Sequence, residues 1–174
     1  MQLQKGVRMI IKRLVVGAAG AATAGAIWMG VAGEDHTTRD SSGAITVEGQ
    51  LGAFVTKVGD CLNDLPDAPA SGIIGVSTVT GVSCQAAHHW QVFHKEDLTL
   101  TQFDNTEVGQ ASYALCESAA KSLVLSMSDA IYNEYRNAGL MNLQPQQMSW
   151  DEGDRAVDCL IGSETQTYYD SVFE

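Results

Sequence analysis

The pattern of apolar and polar positions divides the chain into three parts. Residues 14–33 form an uncharged stretch rich in Gly and Ala, and residues 34–52 are mostly polar. The polar part, with its Asp, Ser, Thr and Gly, predicts a flexible linker. Residues 53–174 contain apolar runs separated by turns, so we expect one globular domain there.

Strand-like patterns dominate the first half of this domain. Residues 54–62 alternate in part and predict a first strand, and the β-branched run 73–84 predicts a second. A proline-containing loop over residues 63–71 would join them. Residues 89–94 predict a third strand.

The apolar period changes after the third strand. Asp104 is a candidate N-cap with Glu107 three residues on, and a helical stripe follows. Its positions are Val108, Ala111, Leu115, Ala119, Leu123 and Met127. Residues 130–138 predict a second helix that ends at Gly139, and residues 156–161 predict a last strand. This order predicts an α+β fold: a small antiparallel sheet with one long helix packed on one face.

Charge is divided unevenly along the chain. Residues 1–33 contain four bases and no acid, whereas the remaining residues contain six bases and all 21 acids, a net charge of −15. Nucleic-acid binding requires clustered Lys and Arg to contact phosphates, so we expect no nucleic-acid partner. The acidic surface is typical of a soluble, solvated domain.

The basic flank and the apolar stretch together predict membrane insertion. Residues 1–13 would stay in the cytoplasm, and residues 14–33 would span about 30 Å as a helix. We therefore expect a single-pass protein of the cell membrane whose C-terminal domain lies outside the cytoplasm. The small residues before position 34 also fit a signal-peptidase site, so secretion after cleavage near Gly33 is the alternative.

Four cysteines lie beyond the apolar segment, at Cys61, Cys84, Cys116 and Cys159. An even number of cysteines in an exported domain favours two disulfides. Zinc is the alternative, but zinc ligands usually come in close pairs and these cysteines are far apart. Of three possible pairings, we predict Cys61–Cys84, between neighbouring strands, and Cys116–Cys159, between the helix and the last strand.

Three short motifs resemble those of the septum-formation family of actinobacterial envelope proteins. They are Val-Gly-Asp-Cys at 58–61, Val-Ser-Cys at 82–84 followed by His88, and Trp-x-x-Gly-Asp-Arg-x-x-x-Cys at 150–159. The resemblance covers residues 54–162, and the last motif is its most specific part. The chain departs from the family at Ala87, where the family tends to have Pro, and at Gln91, where it tends to have Glu. The resemblance implies a membrane-tethered extracytoplasmic domain linked to cell division, and no known reaction.

The histidines are candidates for chemistry. His88 and His94 would share one face of the third strand, with His89 on the other. A Cys–His nucleophile would need a free thiolate, which disulfides remove. We therefore expect structural histidines, with His88 supporting the turn after Cys84, and we expect no catalytic residue, metal or cofactor.

The motif formed by Trp150, Gly153, Asp154 and Arg155 has two interpretations. As an exposed patch, its Trp and Arg would anchor a partner. As a tight turn, Gly153 would supply an unusual backbone angle and Asp154 would bond nearby amides. Arg155 would then pair with a carboxylate such as Asp60. We favour the turn.

The export segment, the cysteine framework and the resemblance together predict a non-catalytic, membrane-tethered module outside the cytoplasm. Its partner would be an envelope or septal protein or a glycan, and residues 14–33 would contact the membrane. One alternative is an envelope hydrolase with a His-centred site, which requires an acid within reach of His88. The other is an ectodomain that senses a metal or another ligand.

Overall fold

The computed structural model of the protein describes residues 33–65 and 76–174. The basic flank, nearly all of the apolar segment and the first part of the predicted second strand lie outside these residues. Within the described ranges, no helix is both long enough and apolar enough to cross a membrane.

An antiparallel sheet forms the centre of the described domain. It has six strands in the described residues, and its spatial order is β3-β5-β4-β6-β8-β7. The strands are β3 (Gly49–Gly52), β4 (Cys61–Asn63), β5 (Thr78–Val82), β6 (Trp90–Asp97), β7 (Gly139–Leu143) and β8 (Ala156–Gly162). A short hairpin of β1 (Thr38–Arg39) and β2 (Ile45–Val47) precedes them. Strand β6 pairs with β4 on one side and β8 on the other, and so joins the two halves of the sheet.

Three helices accompany the sheet in the described part of the chain: α1 (Asn105–Ser126), α2 (Asp129–Tyr135) and α3 (Gln147–Asp151). Helix α1 begins where predicted, because the Asp104 side chain accepts hydrogen bonds from the backbone N–H groups of Thr106 and Glu107. Helix α2 is capped by the Ser128 hydroxyl, and it ends at Tyr135, three residues earlier than predicted.

The α+β fold with one long helix over an antiparallel sheet is therefore confirmed. Helix α1 packs on one face, where its buried residues meet Phe93, Val157 and Ile161 of β6 and β8. The second face is also buried. There Leu51 and Leu62 pack with Leu160, and the hairpin contributes Ile45. The apolar core thus lies on both sides of the sheet.

The prediction of a flexible linker over residues 34–52 is wrong. These residues form β1, β2 and β3, and Leu51 is completely buried. Ile45 lies directly over Gly81, where an added Cβ would come within 2.8 Å of its Cδ1. The polar composition hid this role because only a few isolated apolar residues close the second face.

Two other parts of the sheet differ from the prediction. Of residues 54–62, only the last two are in β4, because Ala53 to Asp60 form turns that include Gly59 at φ +99°. Residues 139–143, for which no strand was predicted, form the edge strand β7. The third and last strands agree with the prediction, although β6 extends to Asp97.

Candidate functional site

Both disulfides have the predicted connectivity. Cys61 pairs with Cys84, with 5.2 Å between the Cα atoms, and Cys116 pairs with Cys159, with 5.3 Å. Cys61 is on β4 and Cys84 follows β5, its neighbour, whereas Cys116 of α1 is joined to β8. None of the described cysteines is free. A thiolate nucleophile is therefore not available in the described domain.

The Trp150 motif forms a turn, as favoured. Gly153 has φ +100°, which L-residues with a side chain rarely adopt, and the Asp154 carboxylate accepts the N–H of Ala156 at 3.0 Å. Trp150 is buried, and the Arg155 guanidinium carbon lies 3.6 Å from the centre of its ring. Nη1 of Arg155 also donates to the carbonyls of Trp150 and Asp154, at 2.8 and 2.6 Å. The Trp150 and Arg155 side chains therefore contact each other.

The predicted pairing of Arg155 with Asp60 is wrong, because Arg39 of β1 takes that position. Its two terminal nitrogens lie 2.5 and 2.9 Å from the two oxygens of Asp60, which is 3% exposed. Hydrogen bonds to Asp60 outweigh burial and raise the pKa of Arg39. Burial alone would raise the pKa of Asp35, but hydrogen bonds from Thr37 and Arg39 lower it to about 2. The Asp of the Val-Gly-Asp-Cys motif thus fixes the N-terminal hairpin to the sheet.

His88 is completely buried and has structural contacts. Its Nδ1 lies 3.0 Å from the carbonyl oxygen of Ala86, in the turn after Cys84, as predicted. Its Nε2 lies 2.9 Å from the hydroxyl of Tyr135. His88 precedes β6, and the register of β6 against β8 shifts between Val92 and His94, so a shared face for the two histidines stays a prediction.

The hydrolase alternative requires an acid beside His88. In the described ranges no carboxylate lies within ion-pair or hydrogen-bond distance of this ring, and the contacts that it makes are a carbonyl and a phenol. Burial is the main cause that lowers the pKa of His88. No group of three or more His, Cys, Asp or Glu among the described residues is placed to hold a metal ion.

A second buried ion pair was not predicted from the sequence. Lys95 of β6 lies 3.0 Å from Oδ1 and 3.4 Å from Oδ2 of Asp158 on β8, and the Thr56 hydroxyl donates to Oδ2 at 2.7 Å. Oδ1 of Asp158 lies close to the Lys95 ammonium but accepts no hydrogen bond of good geometry. Burial raises the pKa of Asp158 despite these partners. The pair lies under the 53–60 turns and holds them to the sheet.

A second missed feature is the 165–174 segment, which docks along the start of β6. Backbone bonds join Tyr168 to His88 in both directions, at 3.0 and 2.8 Å. The Gln91 side chain accepts the N–H of Val172 at 2.7 Å and donates to the Ser171 hydroxyl at 2.9 Å and to the Gly59 carbonyl at 3.2 Å. Because Gln91 both donates and accepts, an ionised glutamate at this position could not donate to the Gly59 carbonyl as Gln91 does.

The docked segment contains two pairs in which a buried side chain is followed by an exposed one. Tyr168 and Val172 are 0% and 2% exposed, and the Tyr168 ring stacks on Tyr135 with 4.2 Å between centroids. Tyr169 and Phe173 are 59% and 52% exposed. In the sequence, Tyr168-Tyr169 and Val172-Phe173 are two apolar pairs four residues apart, and this spacing is the signal that could have identified the segment.

Two exposed aromatic side chains on a fixed backbone are therefore a candidate interaction site in the described domain. A family model described as septum formation matches residues 25–166 of the chain. No curated protein and no solved structure matches it. The family match includes the three motifs, both disulfides and the sheet, and ends within the segment that carries the aromatic pair. The chain belongs to the septum-formation family.

Proposed function

We propose that this protein is a non-catalytic module that is tethered to the membrane by residues 14–33 and binds an envelope partner outside the cytoplasm. Membership of the septum-formation family indicates a role related to cell division. The predicted membrane segment supports the tether, and the two disulfides support an oxidising compartment. The partner would be a protein or a glycan of the envelope.

The observation that carries the proposal is the pair of exposed aromatic side chains, Tyr169 and Phe173. Aromatic residues are common anchors in interfaces because they bury a large area with few rotatable bonds. The backbone that presents them is already ordered, since Tyr169 N–H donates to Glu134 at 3.1 Å and Gln91 holds Val172. An ordered site loses less entropy when it binds.

The other candidate surfaces support binding less well. Trp150 is 5% exposed and its ring is covered by Arg155 on one side, while Phe103 contacts it edge-on at 5.7 Å. Leu125 on α1 is 87% exposed, but it is a single side chain with no exposed large apolar neighbour within its own helix. It therefore serves as a matched control.

Photo-crosslinking in living cells tests the proposal. The photoreactive residue p-benzoylphenylalanine would replace Tyr169, Phe173 or, as the control, Leu125 in the full chain. We expect a discrete adduct of higher mass from positions 169 and 173 and none from position 125. Mass spectrometry of the adduct would identify a protein partner.

A glycan partner gives a different outcome in the same design. The full chain would then co-sediment with isolated cell walls, and the double variant Tyr169→Ser and Phe173→Ser would not, while Leu125→Ser would bind as the parent does. No adduct at 169 or 173 together with equal sedimentation of all three chains would contradict the proposal.

Mass analysis of the mature protein from the membrane fraction tests the tether. We expect the N-terminal peptide before Gly33 to be present. Its absence, with the domain recovered from the medium, would replace the tether with secretion after cleavage.

A further inference from the structure

His88 is sealed from water by the segment that carries the exposed aromatic pair. Its ring centroid lies 6.3 Å from that of Tyr168, and its backbone exchanges two hydrogen bonds with Tyr168. Tyr135 of α2 covers the other nitrogen. The imidazole is 0% exposed, and movement of the 165–174 segment would remove one of its covers and give it access to water.

A proton on His88 would have no counterion in contact. The titratable or charged groups that face it come from its own loop, from α2 and from the segment: His89, Glu134, Tyr135, Tyr168 and Asp170. Glu134 and Asp170 favour the charged ring at a distance and His89 opposes it. Charge that is buried without a contacting partner disfavours the closed arrangement.

The hydrogen bonds around the ring offset only part of this effect. Nδ1 faces a carbonyl and so carries the proton of the neutral ring, which leaves Nε2 as an acceptor for the Tyr135 hydroxyl. That hydroxyl also lies 2.8 Å from the carbonyl of Asp170 and has a single proton for both. A protonated Nε2 could donate to the Tyr135 hydroxyl and so add one hydrogen bond. The free energy of that bond is smaller than the free-energy cost of burying a charged ring away from water.

The docked segment has a second unfavourable group. The Tyr168 hydroxyl is buried and has no hydrogen-bond partner. Burial is the main cause that raises the pKa of Tyr168 to about 12, so the phenol stays neutral throughout the acidic range. Opening the segment would give this hydroxyl water, which lowers the free-energy difference between the docked and open states.

We infer that the 165–174 segment is an acid-released latch, in which protonation of His88 undocks the segment and removes Tyr169 and Phe173 from their fixed positions. Burial lowers the pKa of His88 in the docked state, so the open state binds the proton more tightly. Docking is then strongest above the ordinary histidine pKa and weakens as pH falls below it. That release of the latch controls partner binding rests on the proposed function; the latch itself does not.

Hydrogen–deuterium exchange of the full chain tests the latch. Peptides from residues 164–174 would be followed at pH 7.5, 6.5 and 5.5, with rates corrected for intrinsic exchange. We expect the opening constant to rise up to about tenfold per pH unit below about 6.5. Peptides from β8 report whether the rest of the domain stays closed.

Two variants provide the controls. His88→Gln keeps a neutral side chain at the position, and its segment should exchange at the same corrected rate at all three pH values. His94→Gln removes a partly exposed imidazole that bonds Glu96, and it should behave as the parent. Exchange in the parent that changes less than twofold, or an equal rise in His88→Gln, would overturn the inference.

A nuclear magnetic resonance titration of the parent protein provides a test that needs no variant. The His88 ring should titrate below pH 6.5, and a midpoint at or above that value would also overturn the latch. Neither measurement needs a partner. The absence of adducts at positions 169 and 173 together with unchanged cell-wall sedimentation would therefore contradict the proposed function and leave the latch unaffected.

Discussion

Replacing Arg155 with Ala distinguishes the two interpretations of the family's most specific motif. In the structure Arg155 covers the buried ring of Trp150 and donates to two backbone carbonyls. If these contacts are the residue's role, the variant loses stability and keeps its partner. If Arg155 is an anchor for a partner, the variant keeps its stability and loses binding.

The expected loss follows from these contacts. A cation stacked on an indole contributes about 0.5–2 kcal/mol, and a hydrogen bond from a charged donor contributes about 1.5–3 kcal/mol. Arg155 is only half-buried, so solvent screening reduces both terms. We expect a loss of about 2–3 kcal/mol, which lowers Tm by roughly 6–12 °C for a domain of this size.

Urea unfolding and a thermal melt of the full chain measure this change. Arg155→Lys keeps the charge but not the planar stacking or the fork of donors, so it should recover less than half of the loss. Binding or crosslinking through Tyr169 should match the parent at a temperature where the variant is folded. A variant within about 0.5 kcal/mol of the parent that no longer binds would refute the structural role.

Three other perturbations test separate parts of the fold. Replacing both Cys116 and Cys159 with Ala opens a loop with a sequence separation of 43 and should lower the free energy of unfolding by about 4 kcal/mol; a loss under about 1 kcal/mol in urea would contradict this. Arg39→Met leaves Asp60 buried without its partner and should cost about 3–5 kcal/mol by the same assay, whereas a truly flexible linker predicts no change. Because burial raises the pKa of Asp158, its contribution to the free energy of unfolding is fully present below pH 3.8 and is lost as pH rises. The stability of the parent relative to Asp158→Asn should therefore decrease from pH 4 to 7, and a constant difference would exclude the pKa shift.

Helix α1 could be predicted from sequence because its signals are local. The Asp104 cap and the stripe from Val108 lie within a few residues of the positions that they determine. The disulfide between Cys116 and Cys159 follows from the same stripe, since a cysteine near it faces the sheet. Periodicity and capping depend on neighbouring residues alone.

The N-terminal hairpin could not be predicted in this way. Its position depends on Arg39 reaching Asp60, 21 residues away, and on Ile45 fitting over Gly81. These contacts join distant parts of the chain, and the intervening polar residues have the composition of a linker. The predicted pairing of Arg155 with Asp60 was wrong for the same reason, because Arg39 was not expected to lie near the sheet.

The candidate site was missed for a similar reason. The 165–174 segment lacks a strand or helix period, and its position depends on Gln91 and His88, about 80 residues earlier in the chain. His88 was expected to support a local turn and does so through Ala86, but its contact with Tyr135 is long-range. The sequence predicted a structural role for His88, but only the structure shows that it supports both the turn at Ala86 and the contact with Tyr135.

The position of the protein in dividing cells tests most directly whether Tyr169 and Phe173 bind a partner. A fluorescent fusion to the full chain would be imaged as the parent, as Leu125→Ser and as Tyr169→Ser with Phe173→Ser, at equal membrane levels. We expect the parent and the Leu125 variant to concentrate at the septum and the double variant to be spread over the membrane. A double variant that concentrates at the septum as the parent does would contradict the claim that this aromatic pair binds the partner.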